Sequence, residues 1–169
     1  MIIHVEGTDG TGKSTLVPAL ADTLRLRIMP SEGPAKGWTD CVDRVQKRLV
    51  DGIICDRSSG LISELVYGRV IRGELCEAEY SFWLMVGHAI GKGVIFVYCR
   101  PPAELIQPNF FDDEDPKHVA GVKEQAAELL VRYDEVMLKV KAFGGKVVKY
   151  DRTRMTYSDL VTEILACAA

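Results

Sequence analysis

Residues 7–14 form the pattern with the clearest chemistry in this chain. Their sequence, Gly-Thr-Asp-Gly-Thr-Gly-Lys-Ser, matches the phosphate-binding pattern G-x-x-x-x-G-K-[ST] at every fixed position. Glycines let the backbone fold around phosphate oxygens, and a helix that begins at the lysine adds a favourable dipole. In such a phosphate loop Lys13 neutralises the β- and γ-phosphates, and the Ser14 hydroxyl completes a Mg²⁺ shell. The predicted nucleotide-binding residues are Gly7, Thr8, Asp9, Gly10, Thr11, Gly12, Lys13, Ser14 and Thr15.

Charged side chains follow two further candidate strands. Asp56 and Arg57 come directly after an apolar run, and Glu32 follows another. Because open α/β sheets bind ligands at the carboxyl ends of their strands, we expect these groups to share one cleft with the phosphate loop. There Asp56 reaches the Mg²⁺ or acceptor zone, Arg57 offers five donors to a phosphate, and Trp38 can stack on a base.

Short apolar runs alternate with longer helical segments, which is typical of βαβ units around a parallel sheet. We expect strands at residues 2–6, about 26–29, 52–55, 93–99 and 146–150. We expect helices at 13–25, 39–50, 58–72, 77–91, about 118–143, and to about 167 after a cap at Ser158. The predicted fold is a single α/β domain over residues 1–169, a three-layer P-loop NTPase with a five-stranded parallel sheet. A proline-rich acidic stretch predicts a lid-like segment at about 101–118.

The composition excludes several classes of protein. The 169 residues are 47% hydrophobic and 27% charged, as in globular domains. The five cysteines are scattered without a CxxC pair, which argues against a disulfide framework and a zinc site. A formal charge of −3 excludes a globally basic nucleic-acid binder, although not a local basic cleft. No apolar run approaches the ~18 residues of a membrane helix, so we expect a cytoplasmic protein without a membrane partner.

The phosphate loop alone does not separate kinases from other nucleotide-binding classes. The chain lacks an NKxD motif of the guanine-selecting kind, and it lacks the hhhhDE strand end by which ATPases hold Mg²⁺. Asp56 and Arg57 after the third strand favour a kinase instead. A nucleotide-binding ATPase or switch protein without an acceptor stays the alternative.

Residues 5–15, the glutamate after strand two and Asp56-Arg57-Ser58 together resemble the thymidylate kinase family of P-loop kinases, over residues 1 to about 165. The compact length and residues 56–68 look like phage-type members, among them the 5-hydroxymethyluracil DNA kinases. The resemblance implies the nucleotide-kinase type of the P-loop NTPase fold. It also implies direct transfer of the γ-phosphate of ATP, with Mg²⁺ as cofactor. The implied catalytic residues are Lys13, Asp56, Arg57 and Glu32; the implied metal ligands are Ser14 and Asp56; and the implied acceptor-binding residues are Asp9, Glu32, Trp38, Arg57 and Tyr67.

The chain departs from the family pattern in two ways. Family members place a catalytic arginine in the phosphate loop or the lid, whereas Gly10 and Thr11 stand here and residues 101–118 contain no arginine. Only 23 residues separate Glu32 from Asp56, which predicts an unusually open acceptor site.

An open site suits a large acceptor, and three acceptors follow from the resemblance. We rank the hydroxymethyl group of 5-hydroxymethyluracil in phage DNA first, free dTMP second, and a nucleoside or other small alcohol third. An alcohol acceptor benefits from a general base, for which Glu32 or Asp56 is available. On DNA, phosphates would be contacted by basic residues that otherwise lie on exposed helix faces, namely Arg44, Lys47, Arg48, Arg69 and Arg72.

The family resemblance also suggests a homodimer. The helices predicted within residues 58–91 hold enough apolar side chains to form an interface between two copies of the chain. These side chains are Leu61, Leu65, Phe82 and Trp83.

Overall fold

A computed structural model describes residues 1–106 and 116–169, with the backbone alone for residues 116–119. Most of the predicted lid-like segment therefore lies outside the described residues. The strands are β1 (Ile2–Glu6), β2 (Arg27–Met29), β3 (Ile53–Asp56), β4 (Ile95–Cys99) and β5 (Lys146–Tyr150). They form one parallel sheet in the order β2-β3-β1-β4-β5, which confirms the predicted α/β fold class.

Six α-helices in the described part of the chain connect and cover the strands. They are α1 (Lys13–Leu24), α2 (Trp38–Lys47), α3 (Glu79–Gly91), α4 (Pro116–Glu124), α5 (Ala126–Ala142) and α6 (Tyr157–Ala168). The predicted helix at 118–143 is thus two helices that meet at Gln125, and the predicted helix at 58–72 contains a π-helical turn, Glu64–Gly68. Gly68 allows that turn to pack closely, because a Cβ there would lie 2.7 Å from Leu75 Cδ2.

The helices pack as two layers, one on each face of the sheet. One core joins the sheet to α1 and α6 through Leu16, Leu20 and Leu160. The other joins it to α2, the π-helical turn, α3 and α5. The central strand β1 is buried along its whole length, as expected for a strand covered on both faces.

The apolar residues that suggested a homodimer belong to the monomer's own core. Leu61, Leu65 and Phe82 are each 0% exposed, and Trp83 is half-buried against the Phe143 ring. Leu61, Leu65 and Phe82 are therefore unavailable to a second copy, and the homodimer stays a prediction that these three residues do not support. No helix within the described ranges is both long and apolar enough to cross a membrane.

The last helix begins earlier than its sequence pattern predicts. Thr156, rather than Ser158, is the N-cap: its hydroxyl accepts a hydrogen bond from the Asp159 N–H, and the Asp159 carboxylate accepts one from the Thr156 N–H. This reciprocal pair is a capping box with aspartate in the place of the usual glutamate.

This cap gives a paired stability prediction. Thr156→Ala should lower the free energy of unfolding by about 1 kcal/mol, because it leaves N–H groups at the start of α6 without their partner. Ser158→Ala, the matched control two residues along, should change it by less than about 0.5 kcal/mol. Urea unfolding of both variants measures the difference, and equal effects would contradict the assignment of the cap.

Candidate active site

The phosphate loop connects β1 to α1 at the centre of the sheet. A Cβ on Gly7 would lie 2.6 Å from the carbonyl oxygen of Cys99 and 2.9 Å from Thr11 Oγ1, so only glycine fits at the start of the loop. Gly12 (φ 91°) immediately precedes α1, and no side chain in the described part of the chain caps that helix. The first N–H groups of α1 are therefore available to an anion, with the helix dipole favouring its charge.

Lys13 lies under this loop and is 5% exposed. Its Nζ donates to the carbonyl oxygens of Gly7, at 2.8 Å, and Thr8, at 2.6 Å. Burial, and secondarily the cation of Arg57, lower the pKa of the Lys13 ammonium to about 8. Ser14 and Thr15 are exposed at the start of α1, where a hydroxyl can reach a metal bound to phosphates. The loop thus presents one desolvated cation and a free helix end to a ligand.

Asp9, Arg57 and Tyr67 form a connected group beside the loop. The Arg57 guanidinium pairs with Asp9 Oδ1, and the Tyr67 hydroxyl donates to Asp9 Oδ2 at 2.9 Å. Burial opposes ionisation of Asp9, but Arg57 and Lys13 outweigh it and lower the pKa of that carboxyl. The ring of Tyr67 also lies 5.3 Å from the guanidinium carbon. The structure therefore brings together three of the residues predicted to bind the acceptor.

Glu6 at the end of β1 is a site residue that sequence reasoning missed. It is 0% exposed, and its Oε1 accepts a hydrogen bond from the Ser58 N–H at 2.7 Å. That bond fixes Ser58, the residue after Arg57. Arg57 itself has a left-handed backbone (φ 65°), which is strained for a non-glycine residue. Burial raises the pKa of the Glu6 carboxyl. The sequence signal that could have identified Glu6 is its position, because an acidic residue ends the apolar strand directly before the phosphate loop.

Asp56 ends β3 next to β1, with its Cα in register with Val5. Its side chain is half-buried, and within the described residues its carboxylate accepts no hydrogen bond. The parallel pairing of β1 and β3 therefore puts a carboxylate at the strand end that neighbours the phosphate loop. Together with the exposed Ser14 hydroxyl it offers the oxygen donors that Mg²⁺ prefers.

Glu32 is held by two arginines, Arg44 in α2 and Arg48 directly after that helix. Its Oε1 accepts from Arg48 at 2.9 Å, and its Oε2 lies 3.2 Å from Arg44 Nε. Arg48 also donates to the Pro30 carbonyl oxygen, and Arg44 to that of Gly33. These bonds fasten the loop after β2 to α2 and place both carboxylate oxygens on guanidinium groups.

The expectation that Arg44 and Arg48 contact DNA phosphates is wrong. They are 7% and 0% exposed, and both are paired with Glu32. Arg69 and Arg72 are also paired, with Glu79 and Glu64. Of the five basic residues proposed for DNA, the exposed Lys47 alone forms no ion pair within residues 1–106 and 116–169.

Trp38 begins α2, and its ring meets the Phe82 ring edge to face, with 5.2 Å between centroids. It is half-buried among residues of the core. The structure therefore places Trp38 at the contact between α2 and α3, with part of its surface open to solvent.

Comparison with known proteins shows which solved structures share this fold. No protein-family model matches the chain, and no curated protein matches it. The structure resembles the YorR protein of Bacillus subtilis solved in complex with phosphorylated GDP, with a TM-score of 0.73 and 20% identity over 99% of this chain and 95% of that one. It also resembles deoxyadenosine kinase from M. mycoides with bound dATP (TM-score 0.57, 13% identity, all of both chains) and with bound dCTP (0.57, 15%, 99% of each). At these identities the likeness shows a shared P-loop kinase fold.

The buried ammonium predicts an unusual pH dependence of stability. Lys13 has a pKa of about 8 in the folded protein and ~10.4 in an unfolded chain. Below pH 8 the lysine is charged in both states, so the whole cost of desolvating the charge lowers the free energy of unfolding. As the pH rises from 8 toward 10, the unfolded chain retains a proton that the folded protein has lost, and the penalty fades. The free energy of unfolding of Lys13→Met should therefore be about 3 kcal/mol higher than that of the wild type at pH 7, and this difference should shrink toward pH 10.

Urea unfolding of the wild type and Lys13→Met at several pH values measures this gap. Lys47→Met removes an exposed lysine and is the matched control, for which we expect no such pH-dependent gap. A Lys13→Met variant that is less stable than the wild type by a constant amount at every pH would contradict the desolvated charge.

Proposed function

We propose that this protein is a Mg²⁺- and ATP-dependent kinase that phosphorylates a thymidine-type nucleotide or nucleoside. The observation that carries the proposal is the arrangement at one edge of the sheet. An intact phosphate loop with a buried lysine faces a carboxylate, Asp56, and an arginine, Arg57, that is tied to Asp9 and Tyr67. Such a set offers charge stabilisation on the transferred group and polar contacts to an acceptor at one place.

Each residue has a role in this proposal. Lys13 and the N–H groups at the start of α1 bind the donor phosphates, and Arg57 stabilises charge that develops on the γ-phosphoryl group. Ser14 and Asp56 would hold Mg²⁺, which neutralises phosphate charge when bound. In the described part of the chain no group of three histidine, cysteine or acidic side chains could hold a metal ion, which suits a metal held largely by phosphates. Transfer would be direct and in line.

The ion pairs of Glu32 bear on the acceptor. Both of its oxygens contact guanidinium groups, so arginines already occupy part of its capacity to accept hydrogen bonds. A nucleotide monophosphate is already anionic and needs no such base, whereas Asp56 is the remaining base candidate for an alcohol. This favours a free monophosphate such as dTMP over an alcohol acceptor that depends on Glu32.

The acceptor in DNA loses support for a second reason. Four of the five basic residues that would bind DNA are paired with acidic residues of this chain. The structural neighbours were solved with the free nucleotides dATP and dCTP and with phosphorylated GDP. We therefore rank a free nucleotide above 5-hydroxymethyluracil in DNA as the acceptor. The thymidine-type acceptor itself rests on the resemblance to the thymidylate kinase family.

The test uses ATP labelled at the γ-phosphate, with dTMP, thymidine, deoxyadenosine and an oligonucleotide containing 5-hydroxymethyluracil as parallel acceptors. The thymine form of the oligonucleotide is its control, and Lys13→Met is the enzyme control. We expect label on dTMP and at least a ~100-fold loss in Lys13→Met, because the main cation on the transferred group is gone.

Three other results have distinct meanings. Label on the modified oligonucleotide alone would establish a DNA-base kinase and contradict the preference for a free acceptor. Label on a nucleoside alone would assign the base role to Asp56, to be tested with Asp56→Asn. Release of phosphate at the same rate with and without acceptors would identify an ATPase and contradict the kinase proposal.

A further inference from the structure

The side chain of Arg152 lies beside the phosphate loop. Arg152 follows β5 in the connection to α6, and its Nη1 is 3.7 Å from where a Cβ on Gly12 would be. Its Nη2 donates to the carbonyl oxygen of Leu105 at 3.2 Å. Leu105 closes the 3-10 turn Ala103–Leu105 that follows β4. One guanidinium thus connects the phosphate loop with the segment that follows the fourth strand.

Among the residues that the structure describes, Arg152 differs from the other arginines at this edge because no carboxylate compensates its charge. Arg100, at the end of β4, is held by the Asp134 carboxylate through Nε and Nη2 at 3.0–3.2 Å, and Arg57 is held by Asp9. Arg152 is exposed and pairs with no carboxylate among the residues that the structure describes. Its neighbour Arg154 instead approaches Asp151, at 3.7 Å.

The position of Gly12 explains why this cation matters. Gly12 is the last residue before α1, and its carbonyl oxygen accepts from the N–H groups of Thr15 and Leu16. A phosphate bound at the start of α1 would lie next to Gly12, where the absence of a side chain leaves room for a guanidinium. Arginine matches phosphate oxygens with two parallel donors, which lysine cannot do.

We propose that Arg152 binds the phosphates of the donor nucleotide. The inference rests on the proposed use of the phosphate loop as the ATP site. The guanidinium donates to non-bridging phosphate oxygens at the start of α1 and supplies positive charge that Gly10 and Thr11 lack. Its bond to the Leu105 carbonyl oxygen sets its direction, so that the segment after β4 positions a donor-binding group.

The test is equilibrium binding without any acceptor, so it does not depend on phosphoryl transfer. Mg²⁺·ATP and adenosine compete separately against a fluorescent ATP analogue on the wild type, Arg152→Ala and Arg152→Lys. Arg154→Ala is the matched control, because Arg154 is 84% exposed in the same loop. Thermal melting of each variant shows whether it folds.

We expect Arg152→Ala to weaken ATP binding about 10- to 100-fold and adenosine binding less than twofold, as for the loss of a charge-assisted hydrogen bond to phosphate. Arg152→Lys should recover part of the affinity, and Arg154→Ala should match the wild type. Equal weakening of ATP and adenosine would assign Arg152 to the base and overturn the proposal, as would unchanged ATP binding in Arg152→Ala. A wild type that binds ATP but labels no acceptor would contradict the proposed function alone.

Discussion

Desolvated charge at the carboxyl ends of β1 and β3 is the constraint on which this structure depends. Lys13, Asp9 and Arg57 are gathered there with little water, and Glu6 is buried beneath them. Burial alone makes each charge unfavourable, so every one of them is tied to a partner: carbonyl oxygens for Lys13, a carboxylate for Arg57, and a backbone N–H for Glu6. The hydrogen-bond partners of Lys13 are neutral carbonyl oxygens, and the phosphates of a nucleotide would supply an anionic partner in their place.

The sheet topology creates this gathering. Because β1 lies between β3 and β4, the phosphate loop emerges with Asp56 and Arg57 on one side and Cys99 on the other. The close approach of Gly7 to the Cys99 carbonyl oxygen fixes the first turn of the loop. The Glu6–Ser58 bond fixes the residue that follows Arg57 and holds its strained backbone. Packing and two local contacts, rather than a long chain of side-chain bonds, therefore set the geometry of the site.

Much of this arrangement could be predicted from the sequence, and the exceptions have physical reasons. Apolar runs marked the strands within one or two residues, and the phosphate-loop pattern marked the start of α1 at Lys13. Arg44 and Arg48 were expected on an exposed face because helical periodicity does not show that Glu32, from another segment, neutralises them. Leu61 and Phe82 were assigned to an interface because composition cannot separate a core face from a contact between copies. The π-helical turn depends on close packing at Gly68, and such packing leaves no periodic pattern in the sequence from which it could be predicted.

A crystal structure with Mg²⁺ and a non-hydrolysable ATP analogue would test the central claim most directly. The account predicts that Lys13 Nζ leaves the Gly7 and Thr8 carbonyl oxygens and contacts the β- and γ-phosphates, with the γ-phosphate on the side of Asp56 and Arg57. A nucleotide bound elsewhere, with Lys13 still bonded to those carbonyl oxygens, would contradict it.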